Sequence, residues 1–91
     1  MDVIERLELI KQLEGFSRDA LADECGIKRE RLKNTVQRKQ RLLFEDLEKV
    51  QQRWPEYAYW LTTGLEIPEA GQISPMTKRT QLALKRRPAE G

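Results

Sequence analysis

Ser17-Arg18-Asp19-Ala20-Leu21-Ala22-Asp23-Glu24-Cys25-Gly26-Ile27-Lys28-Arg29-Glu30-Arg31-Leu32-Lys33-Asn34-Thr35-Val36-Gln37 is the stretch whose reading decides the fold. Two short helical patterns meet in it at one glycine. Leu21, Ala22 and Cys25 form the apolar stripe of the first, and Leu32 and Val36 form that of the second. Gly26 stands where the first helix must stop and turn, and glycine enters the left-handed backbone region at little steric cost. Ile27 can plug the corner, and Ala22 is small enough for a second helix to cross close by. Ser17 suits a helix cap, and Asp19 suits the positive end behind it. The second helix is expected from about Arg29 to about Arg38. This is the pattern of a helix-turn-helix.

Working outward, Asp2 with Glu5 makes an acidic capping box. Val3, Leu7, Ile10 and Leu13, widened by Ile4 and Leu9, predict a helix from Asp2 to Glu14 that Gly15 stops. Phe16 can fold back on its last turn. Downstream, Gln40 to Phe44 reads as a turn, followed by a helix to about Arg53. Leu43, Leu47, Val50 and Trp54 form its core stripe, and Glu45, Asp46 and Glu48 crowd its start, as the macrodipole prefers. Trp54-Pro55 breaks the chain, since proline disfavours the α conformation before it and suits the first position of a helix. A further helix is expected from Pro55 to about Thr63, anchored by Tyr57, Trp60 and Leu61 and stopped by Gly64. Two Trp and two Tyr between 54 and 60 either close the core or leave part of the cluster to pair with a second subunit.

Residues 65–74 contain Pro68 and Gly71 with little periodicity and read as a linker. Ser74-Pro75 then resembles a cap followed by proline at the first helical position, opening a possible helix over 75–87. Met76, Thr80, Ala83 and Leu84 make one short stripe, and Lys78, Arg79, Lys85, Arg86 and Arg87 make the segment basic. An isolated helix this short is marginal in water. Disorder, docking on a partner subunit and phosphate binding all remain open for it.

Ninety-one residues suit one domain with a modest core. Charged residues at 35% and hydrophobic ones at 38% describe a soluble globular chain, and no apolar run approaches the ~20 residues of a membrane span. No secretory leader is read at the N-terminus. A single cysteine fits a reducing cytoplasm, and Cys25 on an apolar stripe reads as a small core residue. Without histidine, imidazole acid/base chemistry and the common zinc-ligand sets are absent, and no glycine loop cradles phosphate. The expectation is no enzyme, cofactor, metal, membrane or small-molecule ligand. The net charge of +2 is unevenly spread: residues 17–44 carry +4 and residues 45–71 carry −4. Lys28, Arg29, Arg31, Lys33, Arg38, Lys39 and Arg41 oppose one acid, Glu30. Such a block is either a solvated, salt-bridge-laced helix face or a phosphate-binding footprint; its overlap with the second motif helix favours the footprint.

Leu21-Ala22, Gly26-Ile27, Leu32 and Val36 together resemble the helix-turn-helix of the lambda-repressor and Cro family of phage and bacterial regulators. Trp60-Leu61-Thr62-Thr63-Gly64 extends the resemblance, since phage repressors of this type often end in Trp-Leu-x-Thr-Gly. Two positions depart from it. Arg18 stands where the family often has glutamine, and Lys28 where it often has serine or threonine; Lys28 has no acceptor for capping, so the start of its helix is left open. The resemblance implies an all-α, five-helix repressor-like domain over residues 1–64; by their own composition residues 65–91 read as a linker and basic C-terminal extension beyond it. The resemblance also implies a DNA operator and a homodimer. By position, the family's major-groove residues fall on Lys28, Arg29, Glu30, Lys33 and Asn34.

The side-chain chemistry agrees. Arginine reads guanine O6 and N7, asparagine reads adenine N6 and N7, and glutamate accepts from cytosine N4. Glu30 has a second reading, an intramolecular pair that orients Arg29 or Lys33. Arg18, Gln37, Arg38, Lys39 and Arg41 are candidates for backbone phosphate, Arg18 also reading as a mobile exposed arginine. The function expected is a sequence-specific double-stranded DNA-binding transcriptional regulator, a phage-type repressor that binds an inverted-repeat operator through the helix over 29–38, cytoplasmic and encoded by a bacterium or a phage. The alternative is a protein-interaction module, of antitoxin or anti-activator type, that uses the fold without operator specificity.

Overall fold

The first helix, α1 (Val3–Glu14), starts where the Asp2 carboxylate accepts the Glu5 amide at 2.9 Å and the Glu5 side chain accepts the Asp2 amide. The capping box is therefore reciprocal and satisfies two amides that the helix itself leaves free. The computed structural model describes residues 1–86 of the chain. Ser17 Oγ accepts the Ala20 amide at 3.1 Å and opens α2 (Arg18–Cys25). Gly26, at φ +74°, ends α2 in the left-handed region, and α3 (Arg29–Val36) begins after Lys28, whose side chain caps nothing. Next come α4 (Phe44–Arg53), a 3-10 turn at Pro55–Tyr57 and α5 (Ala58–Thr63). A second 3-10 turn at Pro68–Ala70 precedes α6 (Pro75–Lys85), which Ser74 caps through the Thr77 amide. The described residues are thus all-α, with one isolated bridge between Ile67 and Gln72 and no strand.

Every helix from α1 to α5 turns a buried side chain into one cluster. Leu7 and Ile10 of α1 meet Leu21 and Ala22 of α2, Leu32 of α3, Val50 of α4 and Trp60 and Leu61 of α5. Trp54 and Tyr57 close it, with Phe16 edge-on to Trp54 at 5.7 Å. Burying one large apolar side chain of this kind contributes about 1.5–3 kcal/mol. No helix among the described residues is long and apolar enough to cross a membrane.

Among the described residues there are six α-helices, five of them within residues 1–64 and the sixth, α6, in the C-terminal segment. Several expectations are corrected. The helix expected to reach Arg38 stops at Val36. Arg38 takes φ +61°, its amide donates to Thr35 O at 3.0 Å, and the Lys39 amide donates to Asn34 O at 2.8 Å. That pair of bonds is a Schellman closure, built here on arginine where glycine is usual. Leu43 leaves the expected core stripe: it precedes α4 and is 40% exposed, next to Phe44 at 70%. The helix expected from Pro55 divides into the 3-10 turn and α5, since Tyr57 donates its amide to Trp54 O in a tighter turn.

The stretch read as a linker is ordered. Ile73 is buried, its amide donates to Glu56 O at 2.9 Å, and Ser74 donates to the Glu66 carboxylate. The possible helix over 75–87 is observed over Pro75–Lys85, while Arg87 lies outside the described residues. Its expected stripe does not pack: Met76 and Leu84 are exposed, as are Thr80 and Ala83. α6 docks instead through its first turns onto α1. Lys78 bonds Glu14 at 3.1 Å and Glu56 at 2.9 Å, and lies over the Tyr57 ring.

Candidate nucleic-acid interface

α3 is held on its inner side by Leu32 and Thr35, both about 1% exposed, and by Ile27 in the turn before it. Thr35 Oγ1 donates to Arg31 O at 2.9 Å, so its buried hydroxyl is satisfied. Arg31 reaches across to α4, where Nε and Nη2 each donate to Asp46 at 2.7 Å. Asp46 is almost completely buried in the first turn of α4. Lys49, one turn on, donates to Gly26 O at 3.1 Å and so ties α4 to the corner between α2 and α3. Breaking a fully buried pair costs about 3–5 kcal/mol. The Arg31–Asp46 pair should cost somewhat less, because the Arg31 side chain stays 23% exposed. This network fixes how far α3 is rolled about its own axis, and hence which residues it presents.

The outward side of α3 carries the residues expected at base edges. Lys28, Arg29 and Glu30 are exposed; Lys33 and Asn34, one turn later, are half-buried. Arg29 is pinned: Nε donates to Asp23 Oδ1 at 3.0 Å, Nη2 bonds Asp23 Oδ2, and Nη1 lies 3.8 Å from Asp19. The Asp23 carboxyl is consequently held below the usual carboxylate range, chiefly by the hydrogen bond from Arg29. Among the described residues Glu30 forms no ion pair, so the intramolecular partner considered for it is absent there; Arg29 is oriented by α2 instead.

Gln37, Arg38, Lys39 and Arg41 are exposed around the exit of α3. Arg38, Lys39 and Arg41 line one side of a shallow groove whose other side is Val3 and Ile4 of α1. Arg38 bonds Asp2 at 2.8 Å, which links this exit to the α1 cap. Arg18 is half-buried at the start of α2, and its Nε is buried without a hydrogen-bond partner among the described residues. Three arginines of the basic block, Arg29, Arg31 and Arg38, are ion-paired within the fold. Among the described residues Lys28, Lys33, Lys39 and Arg41 form no such pair, and they carry the uncompensated positive charge of this face. Arg31, counted with the basic face from sequence, belongs to the scaffold.

Sequence reasoning also missed Arg6. It is 8% exposed and donates through Nε to Leu61 O at 2.8 Å and through Nη2 to Thr62 O at 3.2 Å, and it also bonds Met1 O. Leu61 O and Thr62 O are terminal carbonyls of α5, where a cation also meets the negative end of the helix. Its position between Val3 and Ile10 on the inward stripe of α1 was an available signal. Cys25 is half-buried, and burial raises its thiol to about 11, as befits a packing residue.

An all-α fold with a well-supported helix-turn-helix and a cation-bearing α3 is the class that the geometry defines. No protein-family model matches the chain, and no curated protein matches it. Among solved structures it is similar to Pf6r from the filamentous phage Pf6 of Pseudomonas aeruginosa PA01. The two are 28% identical with a TM-score of 0.72, over 93% of this chain and 99% of that one. The likeness therefore extends over the whole fold, beyond the two motif helices.

Proposed function

We propose that this chain is a sequence-specific regulator that binds double-stranded DNA, places α3 in the major groove and acts as a homodimer on an inverted repeat. The observation that carries the reading is the outward side of α3. It presents Lys28, Arg29, Glu30, Lys33 and Asn34 together, on a helix clamped from behind by Arg31–Asp46. Mixed donors and acceptors on one short helix suit base edges, whereas the cations at its exit suit phosphates. Similarity to a protein of a filamentous phage supports the phage-type assignment. Regulation would follow from occupying or marking a promoter, with no chemistry by the chain itself.

Two substitutions separate the roles. Arg29→Ala should cost about 1–3 kcal/mol on the preferred site and relax preference at one base pair. Lys39→Ala should weaken all sequences alike and shallow the salt slope by about one. Binding titrations on selected and random DNA at several salt concentrations measure both. Equal losses on both DNAs for Arg29→Ala contradict base reading by that residue.

A protein-interaction role is the second reading, and it rests on apolar surface. Leu43 and Phe44 at the start of α4, and Leu82 and Leu84 on α6, are each at least 40% exposed. A complex with a protein that persists at high salt, without preference among DNA sequences, supports that reading over the first.

A further inference from the structure

We propose that Asp23 is a positioning residue for base reading: it holds the side edge of the Arg29 guanidinium and leaves the end edge for O6 and N7 of a guanine. The inference rests on the DNA-binding reading above and names one base of the target. Guanidinium has five N–H donors in a rigid fork. In this structure Nε and Nη2 face the two oxygens of Asp23. Three hydrogens remain: one on Nη1 and the second on Nη2 form a parallel pair on the end edge, and the other Nη1 hydrogen points back toward the aliphatic stem. Asp19 lies 3.8 Å from Nη1, too far for a hydrogen bond, so that edge is not taken. Arg29 is the first residue of α3, and its side chain is 60% exposed, so the free edge is open to a ligand. A parallel pair of donors matches the two acceptors that guanine alone presents side by side in the major groove.

The placement of Asp23 makes sense on this account. A carboxylate facing a polyanion lowers general affinity for DNA. The same carboxylate restricts an arginine that otherwise samples many rotamers, so less freedom is lost when the base is met. Asp23 thus trades affinity for discrimination, and the two effects have opposite signs and can be told apart. Asp19 supplies the control. It sits one helical turn earlier on α2 with the same charge near the same arginine, yet makes no hydrogen bond to it.

The test uses the full chain and a preferred DNA site obtained by selection from a random pool. Each guanine of the site is replaced in turn by adenine or by 7-deazaguanine, which lacks the N7 acceptor. Wild type, Asp23→Ala, Asp23→Glu, Asp19→Asn, Arg29→Ala and Asp23→Ala/Arg29→Ala are titrated on every site, with melting temperatures as the check on folding. One guanine should be preferred by the wild type, and Asp23→Ala should cut that preference roughly 10-fold, within what a bidentate contact supplies. Asp23→Ala should bind random DNA more tightly. Arg29→Ala should erase the preference, and adding Asp23→Ala to it should change the preference no further. Asp23→Glu should restore part of the preference, while Asp19→Asn should tighten binding to all sequences alike. Asp23→Ala behaving like Asp19→Asn, with the guanine preference intact, overturns the positioning role. Preference surviving in Arg29→Ala overturns it too, by removing Arg29 from base reading. No enriched sequence at all is a separate failure, that of the DNA-binding reading itself.

Discussion

Asp2 is held by two donors from separate parts of the chain. The Arg38 guanidinium is the larger influence and the Glu5 amide the next, and together they bring its carboxyl down to about 2. In the unfolded chain the same group titrates near 3.8. A depressed folded-state value means that the contribution is complete above the unfolded value and is lost as pH falls through the folded one. Melting temperature should therefore drop as pH is lowered from about 4 toward about 2. Asp2→Asn should start lower and fall less steeply over that interval. The fall should not vanish, because Glu14, Asp23 and Glu66 are also held below their usual range. For Glu14, burial works in the opposite direction but is outweighed by the hydrogen bonds from Tyr57 and Lys78. Parallel melting curves for Asp2→Asn and wild type across that pH range would show that the Asp2–Arg38 pair does not form in solution.

At the scale of an element, α2, its corner and α3 were legible almost residue by residue. Ser17, Gly26, Leu21, Ala22, Ile27 and Leu32 all took their expected places, because caps, left-handed glycines and helical stripes are local signals. The corner can be tested alone. A Cβ at Gly26 meets nothing within 4 Å, so Gly26→Ala carries no clash, only the left-handed backbone at φ +74°. The loss should be about 1–2 kcal/mol in urea unfolding, with an unchanged denaturant slope. A neutral or stabilising Gly26→Ala would mean that the corner relaxes out of the left-handed region. What stayed hidden was non-local. Arg31 meets Asp46 across 15 positions, and Arg6 meets carbonyls 55 and 56 positions away. Neither partner of these contacts announces the other in sequence. The early stop of α3 was hidden for another reason: arginine at a left-handed position contradicts the usual preference for glycine.

Across the whole molecule, the C-terminal segment belongs to the fold more closely than its sequence suggests. Residues 65–74 have no periodic stripe, since one side chain, Ile73, makes the apolar contact and the rest is hydrogen bonding by the backbone, Gln72 and Glu66. Gln72 accepts the Tyr59 amide at 2.9 Å and donates to Pro55 O at 3.0 Å, contacts that no composition signal reports. Ile73→Ala should cost about 2 kcal/mol, the low end for a buried isoleucine, because the residue lies at the edge of the core. Amide exchange in α6 should accelerate in the same variant, as its anchor loosens. Unchanged exchange in α6 would place its stability in the Ser74 cap and the Lys78 bonds to Glu14 and Glu56 rather than in Ile73. The candidate interface was legible as a set of residue types, though its internal pairing was not. Sequence listed the cations of α3 and its exit, and the fold sorts them into those tied to aspartates and those left over.

The most direct test of the central claim is fluorescence anisotropy of the full chain against DNA selected from a random pool, with unselected DNA as competitor, across a range of salt. The account predicts an enriched inverted repeat with half-sites about one helical turn apart, bound at least ~10³-fold more tightly than random DNA. Steeply salt-dependent binding with no enriched sequence would contradict it, leaving a basic helix-turn-helix that grips phosphate without reading bases.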